Sequence, residues 1–368
     1  MSQRGLTETA TADDAVGDAT STKGVRLTPR GLLQLVTRSN NLYILLVELA
    51  LLALFSLISP NHTFFGQTNF INIAWDTAET LLLAIGETFV IITAGIDLSV
   101  GTVLMLSGVS ASWVMANTAG TPAQISGGHY PHAGLALLLG IPTGLLVGML
   151  CGVINGVLIS RLRLPPFIVT LGVFSVANGL GDLLSSSGAA GQNTIPPVPD
   201  AFANSFGNGN LLLGLPTLVL MSALVALVAH VILTRTLFGR RTFAVGSNPE
   251  GSRLAGVPIN SQLIWVYVLA GFMSGLAGVF DLARFHTTDI QGHSLDNLNA
   301  IAAVVIGGTS LFGGGGSIAG TVIGAFIPVT LAYGFNIMGI SSFWQLVAVG
   351  IIIIAAVLVD QVRRQRIT

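Results

Sequence analysis

Five carboxylates, Glu48, Glu79, Glu87, Asp97 and Asp281, stand inside or beside long apolar stretches, Glu48 and Glu87 well within them. Ionisable groups in such places mark ion or proton relays, or else serve as hydrogen-bonded packing residues or lie at an interface. Scattered and without basic partners, these five make a weak relay. The histidines, His62, His129, His132, His230, His286 and His293, show no HExxH or other metal spacing, so no metal site is expected. Lys23 is the only lysine and belongs to the polar N-terminal stretch, so a GxxxxGK[ST] phosphate loop cannot form despite the glycine run at 313–316. No GxSxG nucleophile motif is present. Cys151, the single cysteine, excludes an internal disulfide framework and reads as a small apolar filler. No catalytic residue and no cofactor are expected; the chemistry left is transport, driven by an ion gradient or by a partner.

The elements that must hold these residues are membrane helices. Of 368 residues, 52% are hydrophobic and only 8% charged, with a mean hydropathy of +0.79, whereas a soluble domain carries roughly 25% charged residues. The net charge is -1 and no basic segment could track phosphates, which excludes nucleic acid as a partner and leaves membrane lipid as the surroundings. About ten stretches approach the ~20 apolar residues that a span needs: Leu42 to Ile58, Thr77 to Ala94, Leu98 to Asn117, Leu135 to Ser160, Pro166 to Leu184, Leu211 to Leu233, Leu263 to Leu282, Leu298 to Leu311, Ser317 to Phe335 and Phe343 to Val359. An all-α polytopic membrane protein is therefore expected. With both termini cytoplasmic, 14 of the 15 basic residues fall inside and only Arg284 outside, as the positive-inside rule asks. Residues 1–38 read as a disordered cytoplasmic tail and 39–368 as the transmembrane domain. The longest external segment, Ser185 to Asn210, reads as a loop with short helical pieces. It is either a cover or partner contact, or a passive connection.

Gly140, Gly144, Gly148, Gly152 and Gly156 line one helix face, and Gly316, Gly320 and Gly324 do the same later in the chain. Such faces let helix backbones approach closely, which substitutes for the hydrophobic drive that lipid removes. Two glycine-broken stretches, Ala94 to Gly101 and Gly307 to Gly316, must be buried in protein or face water, so both are candidates for lining a cavity. Their pathway candidates are Asp97, Ser99, Gly308 and Thr309. Asp97 is either the N-cap of the third span or a group facing a hydrophilic passage.

The longest internal loop, 235–261, contains a compact helix signature: Asn248 as cap, Pro249 at the first position, Glu250 at the positive dipole end, and Gly256 with Pro258 to close. It is either a part that a soluble motor pushes or a surface helix at the headgroups.

Four blocks then bring a family into view: GIDLSVG at 95–101, LPPFIVTLG at 164–172, AVGSNPEGSRLAGV at 244–257, and NAIAAVVIGGTSLFGGGGSIAGTVIGA at 299–325. In order and spacing they resemble the membrane permeases of ribose/xylose-type ATP-binding-cassette sugar importers from about residue 40 to the end. The resemblance implies a multi-pass protein of the bacterial inner membrane importing a monosaccharide or polyol by alternating access. It implies two permease copies, a cytosolic ATPase and a periplasmic sugar-binding protein. By similarity, Gly246, Asn248, Glu250, Arg253, Leu254 and Gly256 match the loop that couples the permease to the ATPase. The alternative is an ion-coupled secondary carrier of small polar solutes using Glu48 or Glu87.

The chain departs from its relatives at two places. Gly251 and Ser252 stand where relatives carry an alanine pair, which weakens the local helix by roughly 1 kcal/mol at the glycine. Asp296, Asn297, Leu298 and Asn299 stand where relatives show a Tyr-Glu-Leu-Asp run, so two carboxylates become amides on the expected external side. Asp281, Arg284, Asn297 and Asn299 are the candidates there for contacts with the binding protein or solute.

Overall fold

In the computed structural model, residues 40–186, 198–199, 202–212, 214–288 and 292–365 are described. The tail expected at 1–38 and residues 187–197 of the expected loop lie outside them. The helices and one hairpin follow in the order α1 (Asn40–Ile58), α2 (Gln67–Ile92), α3 (Val100–Thr118), α4 (Pro122–Ser126), α5 (Ala133–Ser160), α6 (Pro166–Ser186), β1 (Asn210–Leu212), β2 (Leu215–Pro216), α7 (Thr217–Arg235), α8 (Leu237–Ser247), α9 (Pro249–Leu254), α10 (Ile259–Phe285), α11 (Asp296–Ile306), α12 (Ile318–Ile337) and α13 (Ser342–Gln365). Among the described residues, eight helices are long and apolar enough to cross a membrane: α1, α3, α5, α6, α7, α10, α12 and α13. The two remaining expected spans fall on α2 and α11.

Two boundaries differ from the sequence reading. The stretch expected to span from Leu211 becomes helical only at Thr217, because 210–216 forms an antiparallel hairpin with Asn210 opposite Pro216 and Leu212 opposite Leu215. The stretch expected from Leu298 to Leu311 is helical only over the 11 residues of α11, about 16 Å at 1.5 Å per residue, half the thickness of a ~30 Å hydrocarbon core. Hydrophobicity alone could not separate a short buried helix from a full span. Ala300, Ala302, Ala303 and Val304 are fully buried, so this face of α11 packs inside the bundle, while the irregular backbone after it is partly accessible, with Gly308 and Phe312 exposed.

The centre of the bundle is α2, α3, α10, α11 and α12, whose Leu82, Ile85, Phe89, Leu104, Val266, Phe280 and Val304 are nearly or wholly inaccessible. The outer helices α1, α6 and α13 expose Leu57, Leu183, Phe343 and Ile354, a surface suited to lipid. Both glycine series work as seams. A methyl built on Gly148 would fall 2.8 Å from Gly275 Cα, on Gly152 2.9 Å from Val268 Cα and on Gly156 2.7 Å from Ile264 Cα, so α5 lies backbone to backbone on α10. Gly144 and Gly140 meet Ser107 O and Ala111 O of α3 at 3.1 and 3.0 Å in the same sense, and Gly324 presses α12 onto the Ala303 carbonyl of α11.

Polar side chains add cross-links where the apolar seams end. Thr330 Oγ1 donates to Glu48 Oε1 at 2.7 Å, joining α12 to α1, and the Thr88 and Thr321 hydroxyls share a 2.7 Å hydrogen bond between α2 and α12. Glu48 is 5% exposed.

Candidate functional site

Three groups of polar residues lie along the bundle. The first is the linker between α7 and α10, where α8 and α9 form. The Asn248 Oδ1 accepts the Gly251 N–H at 2.9 Å, capping α9, and Pro249 takes the first helical position where its missing N–H costs nothing. Gly256 adopts φ +79°, the left-handed region in which glycine is free of strain, and the Val257 N–H returns to Ser252 O at 3.0 Å to close the helix. The cap offsets the weak helix propensity of Gly251, while Ser252 is buried beneath. Glu250 and Arg253 pair across one turn with side chains 67% and 65% exposed, and Leu254 is 81% exposed. Leu254 thus stands next to the Glu250–Arg253 pair as an exposed apolar side chain on α9.

Gly246 of α8 is buried behind this tip and touches the second group. A methyl built on it would fall 2.8 Å from Gly314 N and closer still to the Ile92 carbonyl oxygen; Gly314 itself donates to Ile92 O at 2.8 Å. The end of α2, the 307–316 segment and α8 therefore meet at one point. Both glycine-broken stretches are packed against protein here, Gly313 and Gly314 adopting φ +82° and +75° against Ala94 and Ser247. Neither lends a residue to the cavity described below; the Gly314 N–H is satisfied by Ile92 O, the Ser310 N–H by Gly315 O and the Gly95 N–H by Val90 O.

Asp97 stands at the turn before α3 but does not cap that helix; Ser99 is the N-cap residue and makes no side-chain capping bond. Asp97 Oδ1 accepts the Ser99 N–H at 2.9 Å and its hydroxyl at 2.6 Å, Asn155 Nδ2 approaches Ser99 Oγ at 3.0 Å, and the Asp97 N–H donates to Glu87 Oε1 at 3.0 Å. With Glu87 at 0% and Asp97 at 2% exposure, this is a buried network tying α2, α3 and α5. Thr309 is also buried, beneath Gly316, and Gly308 turns the chain at φ +83°.

The third group lies at the other end of α10. Asp76, Glu79, Asp281, His293, Asp296 and Asn299 line a cavity of about 540 Å³. Arg284 Nη1 donates to Asp76 Oδ1, Tyr333 Oη donates to Asp76 Oδ2 at 2.7 Å, and the guanidinium stands 5.3 Å from the Trp75 ring and 4.6 Å from that of Phe285. One arginine thus ties α2, α10 and α12 together. Asp281 is 2% exposed and Arg284 is 12% exposed at its side chain; a charge at a membrane helix end is stable when paired, as Arg284 is with Asp76. Asn297 Nδ2 donates to Leu98 O at 3.1 Å, holding the start of α11 to the turn before α3. Of the four external candidates, Asp281 and Asn299 face the cavity.

His293, on a 3-10 turn (Gly292–Leu295) before α11, was not singled out by the sequence. Its Nδ1 lies 2.7 Å from Asp296 Oδ2, and its Nε2 lies 3.5 Å from Asp281 Oδ2. Burial disfavours the imidazolium, but the carboxylates of Asp281 and Asp296 against the ring, with Glu79 close by, push its pKa up to about 11. Glu79 and Asp281 are separated from His293 by the chain, which is why spacing could not find the cluster; the His293–Asp296 pair at i, i+3 was its one local trace.

Residues 69–357 match the family described as branched-chain amino acid transport system / permease component. The ribose import permease protein of Bacillus subtilis (strain 168) is 38% identical over 84% of this chain and 89% of its own length. That of Escherichia coli (strain K12) is 36% identical over 86% and 92%, and the D-allose transport system permease protein of the same organism 35% identical over 84% and 88%. No solved structure matches the chain significantly.

Proposed function

Because the chain belongs to the family of the branched-chain amino acid transport system / permease component, we propose that it is the membrane subunit of an ATP-binding-cassette importer that passes a monosaccharide or related polyol across the bacterial inner membrane. The observation that carries this reading is the similarity, along most of both chains, to permeases named for ribose and D-allose. Those names favour a sugar over an amino acid as cargo. The chain has no Walker-A lysine, so a separate cytosolic ATPase supplies the energy, and a periplasmic binding protein delivers the solute. Both termini are cytoplasmic and two copies of the chain enclose the pathway.

In this reading α9 is the part the ATPase grips. Glu250, Arg253 and Leu254 are its exposed handle, Asn248 and Gly256 set its ends, and Gly246 behind it abuts Ile92 and Gly314. Closure of the ATPase pair presses α9, the press reaches the end of α2 and the 307–316 segment, and α11 and α12 follow. The cavity around Asp76 and Asp281 opens on the binding-protein side.

The carrier alternative would need free intramembrane carboxylates. Glu48 Oε1 is held by Thr330 and Glu87 Oε1 by the Asp97 backbone, and the similarity to importer permeases weighs against the carrier. The test is uptake in proteoliposomes holding the permease and its ATPase, with binding protein and ATP supplied on their respective sides. Solute should enter only when all are present, and E250A with R253A should abolish entry while the assembly survives. Uptake driven by an ion gradient without the ATPase, or normal uptake by the double variant, refutes the importer reading.

A further inference from the structure

We propose that Glu79, Asp281 and His293 form a binding site for one divalent transition-metal ion of the zinc class. One carboxylate oxygen from each acid and one ring nitrogen of His293 all lie within 4.8 Å of one another, drawn from α2, α10 and the turn before α11. Four-coordinate zinc with bonds of roughly 2.0–2.2 Å sets its ligand atoms about 3.4 Å apart, and His293 Nε2 already stands 3.5 Å from Asp281 Oδ2. Glu79 Oε1 stands 3.5 Å from the Nδ1 edge of the ring, so its side chain must rotate toward Nε2 to supply the third ligand; all three residues line the cavity.

Two observations separate this arrangement from an ordinary acidic cluster. Among the described residues, Asp281 Oδ2 and His293 Nε2 have no hydrogen-bond partner, yet Asp281 is 2% and His293 8% exposed. Buried polar atoms are rarely left without partners, and these two face each other across 3.5 Å without making a hydrogen bond. The other ring nitrogen, Nδ1, is held at 2.7 Å by Asp296. A carboxylate taking the Nδ1 proton fixes the tautomer that presents an Nε2 lone pair, the support that metal-bound histidines almost always have. One imidazole with two carboxylates suits zinc-class ions better than magnesium or calcium, which take oxygen alone.

Asp76 is not a ligand, since Arg284 and Tyr333 occupy its oxygens. A proton on Nε2 is the competing occupant, so the ion must displace it. The cavity of about 540 Å³ gives the ion and its water a way in. The site does not depend on what the permease carries.

The experiment uses the full chain, purified on a histidine-free tag, placed in lipid nanodiscs, stripped by chelator and titrated with zinc chloride by calorimetry. One ion per chain is expected at micromolar affinity or tighter. H293Q and D281N should weaken it at least tenfold, and D296N, which keeps every ligand, by roughly 10–100-fold; H132N, at the start of α5, should leave it unchanged. Absence of stoichiometric binding, or binding indifferent to H293Q and D281N, overturns the proposal. Should those variants fail to fold, X-ray absorption on the loaded wild-type chain decides: nitrogen and oxygen ligands with an imidazole signature support the site, and a shell without imidazole overturns it.

Discussion

Replacing Gly246 by alanine tests the junction on which the proposed coupling route depends. The added methyl would stand 2.8 Å from Gly314 N and nearer to Ile92 O, where ordinary van der Waals contact begins at 3.4 Å. Both neighbours are backbone, so α8 must retreat from Gly314 by at least ~0.6 Å, the difference between those two distances, and by more than that from the end of α2. Overpacking of this kind costs about 1–3 kcal/mol. Parting the segments also loosens the Gly314 N–H to Ile92 O hydrogen bond, worth about 0.5–1.5 kcal/mol. Alanine returns up to about 1 kcal/mol of helix propensity within α8. The net expectation is a loss of about 1–3 kcal/mol, read as a melting temperature lower by several degrees for the permease alone in detergent. In the assembled transporter, G246A should retain ATP hydrolysis while uptake per ATP falls severalfold, because α9 is gripped as before but its backing has moved. A variant that melts and transports like wild type would refute both the contact and the route through it.

Three other perturbations bear on separate parts of the reasoning. E250A or R253A removes an exposed ion pair worth about 0–1 kcal/mol, so the melting temperature should hold while ATP-driven uptake collapses, in a proteoliposome assay. G148A drives a methyl onto α10 backbone and should destabilise, by about 1–3 kcal/mol of overpacking; G172A on α6, with nothing within 4 Å, should be neutral or slightly stabilising, and thermal melts of the pair in one detergent compare them. In chelator-treated protein, His293 has a folded pKa of about 11 above an unfolded value of 6.5. Its charge therefore stabilises fully below about pH 6.5 and the benefit fades as pH rises toward 11. The stability gap between wild type and H293Q should narrow across that window.

What could be read from the sequence divides along the range of the interactions. The capped turn at 248–257 follows from residues within ten positions of one another, so Asn248, Pro249 and Gly256 announce α9 and the structure holds the bond from Asn248 to Gly251. The glycine series were legible as seams for a similar reason, since a spacing of four puts Gly148 and Gly152 on one face whatever they meet. Their partners on α10 were not legible. The eighth expected span shows the limit: Leu298 to Leu311 has the apolar run of a membrane helix, and its end at Ile306 is decided by the packing of Gly320 and Gly324 onto Gly307 and Ala303.

The same distinction governs the polar residues. Asp97 was read as a helix cap or a passage group from its neighbours in sequence, whereas Glu87 and Asn155, ten and 58 residues away, draw it into a buried network. Arg284 was the one basic residue left outside by the charge count, which made it a candidate for a partner protein. Asp76, 208 residues earlier, pairs with it within the chain. A lone charge in an apolar sequence states a need for a partner, and in a bundle closed by glycine seams that partner is another span of the same chain more readily than a protein in solution. The exception is the exposed Glu250–Arg253–Leu254 tip, whose surroundings hold no such span to answer it among the described residues, and that is where an external partner is expected.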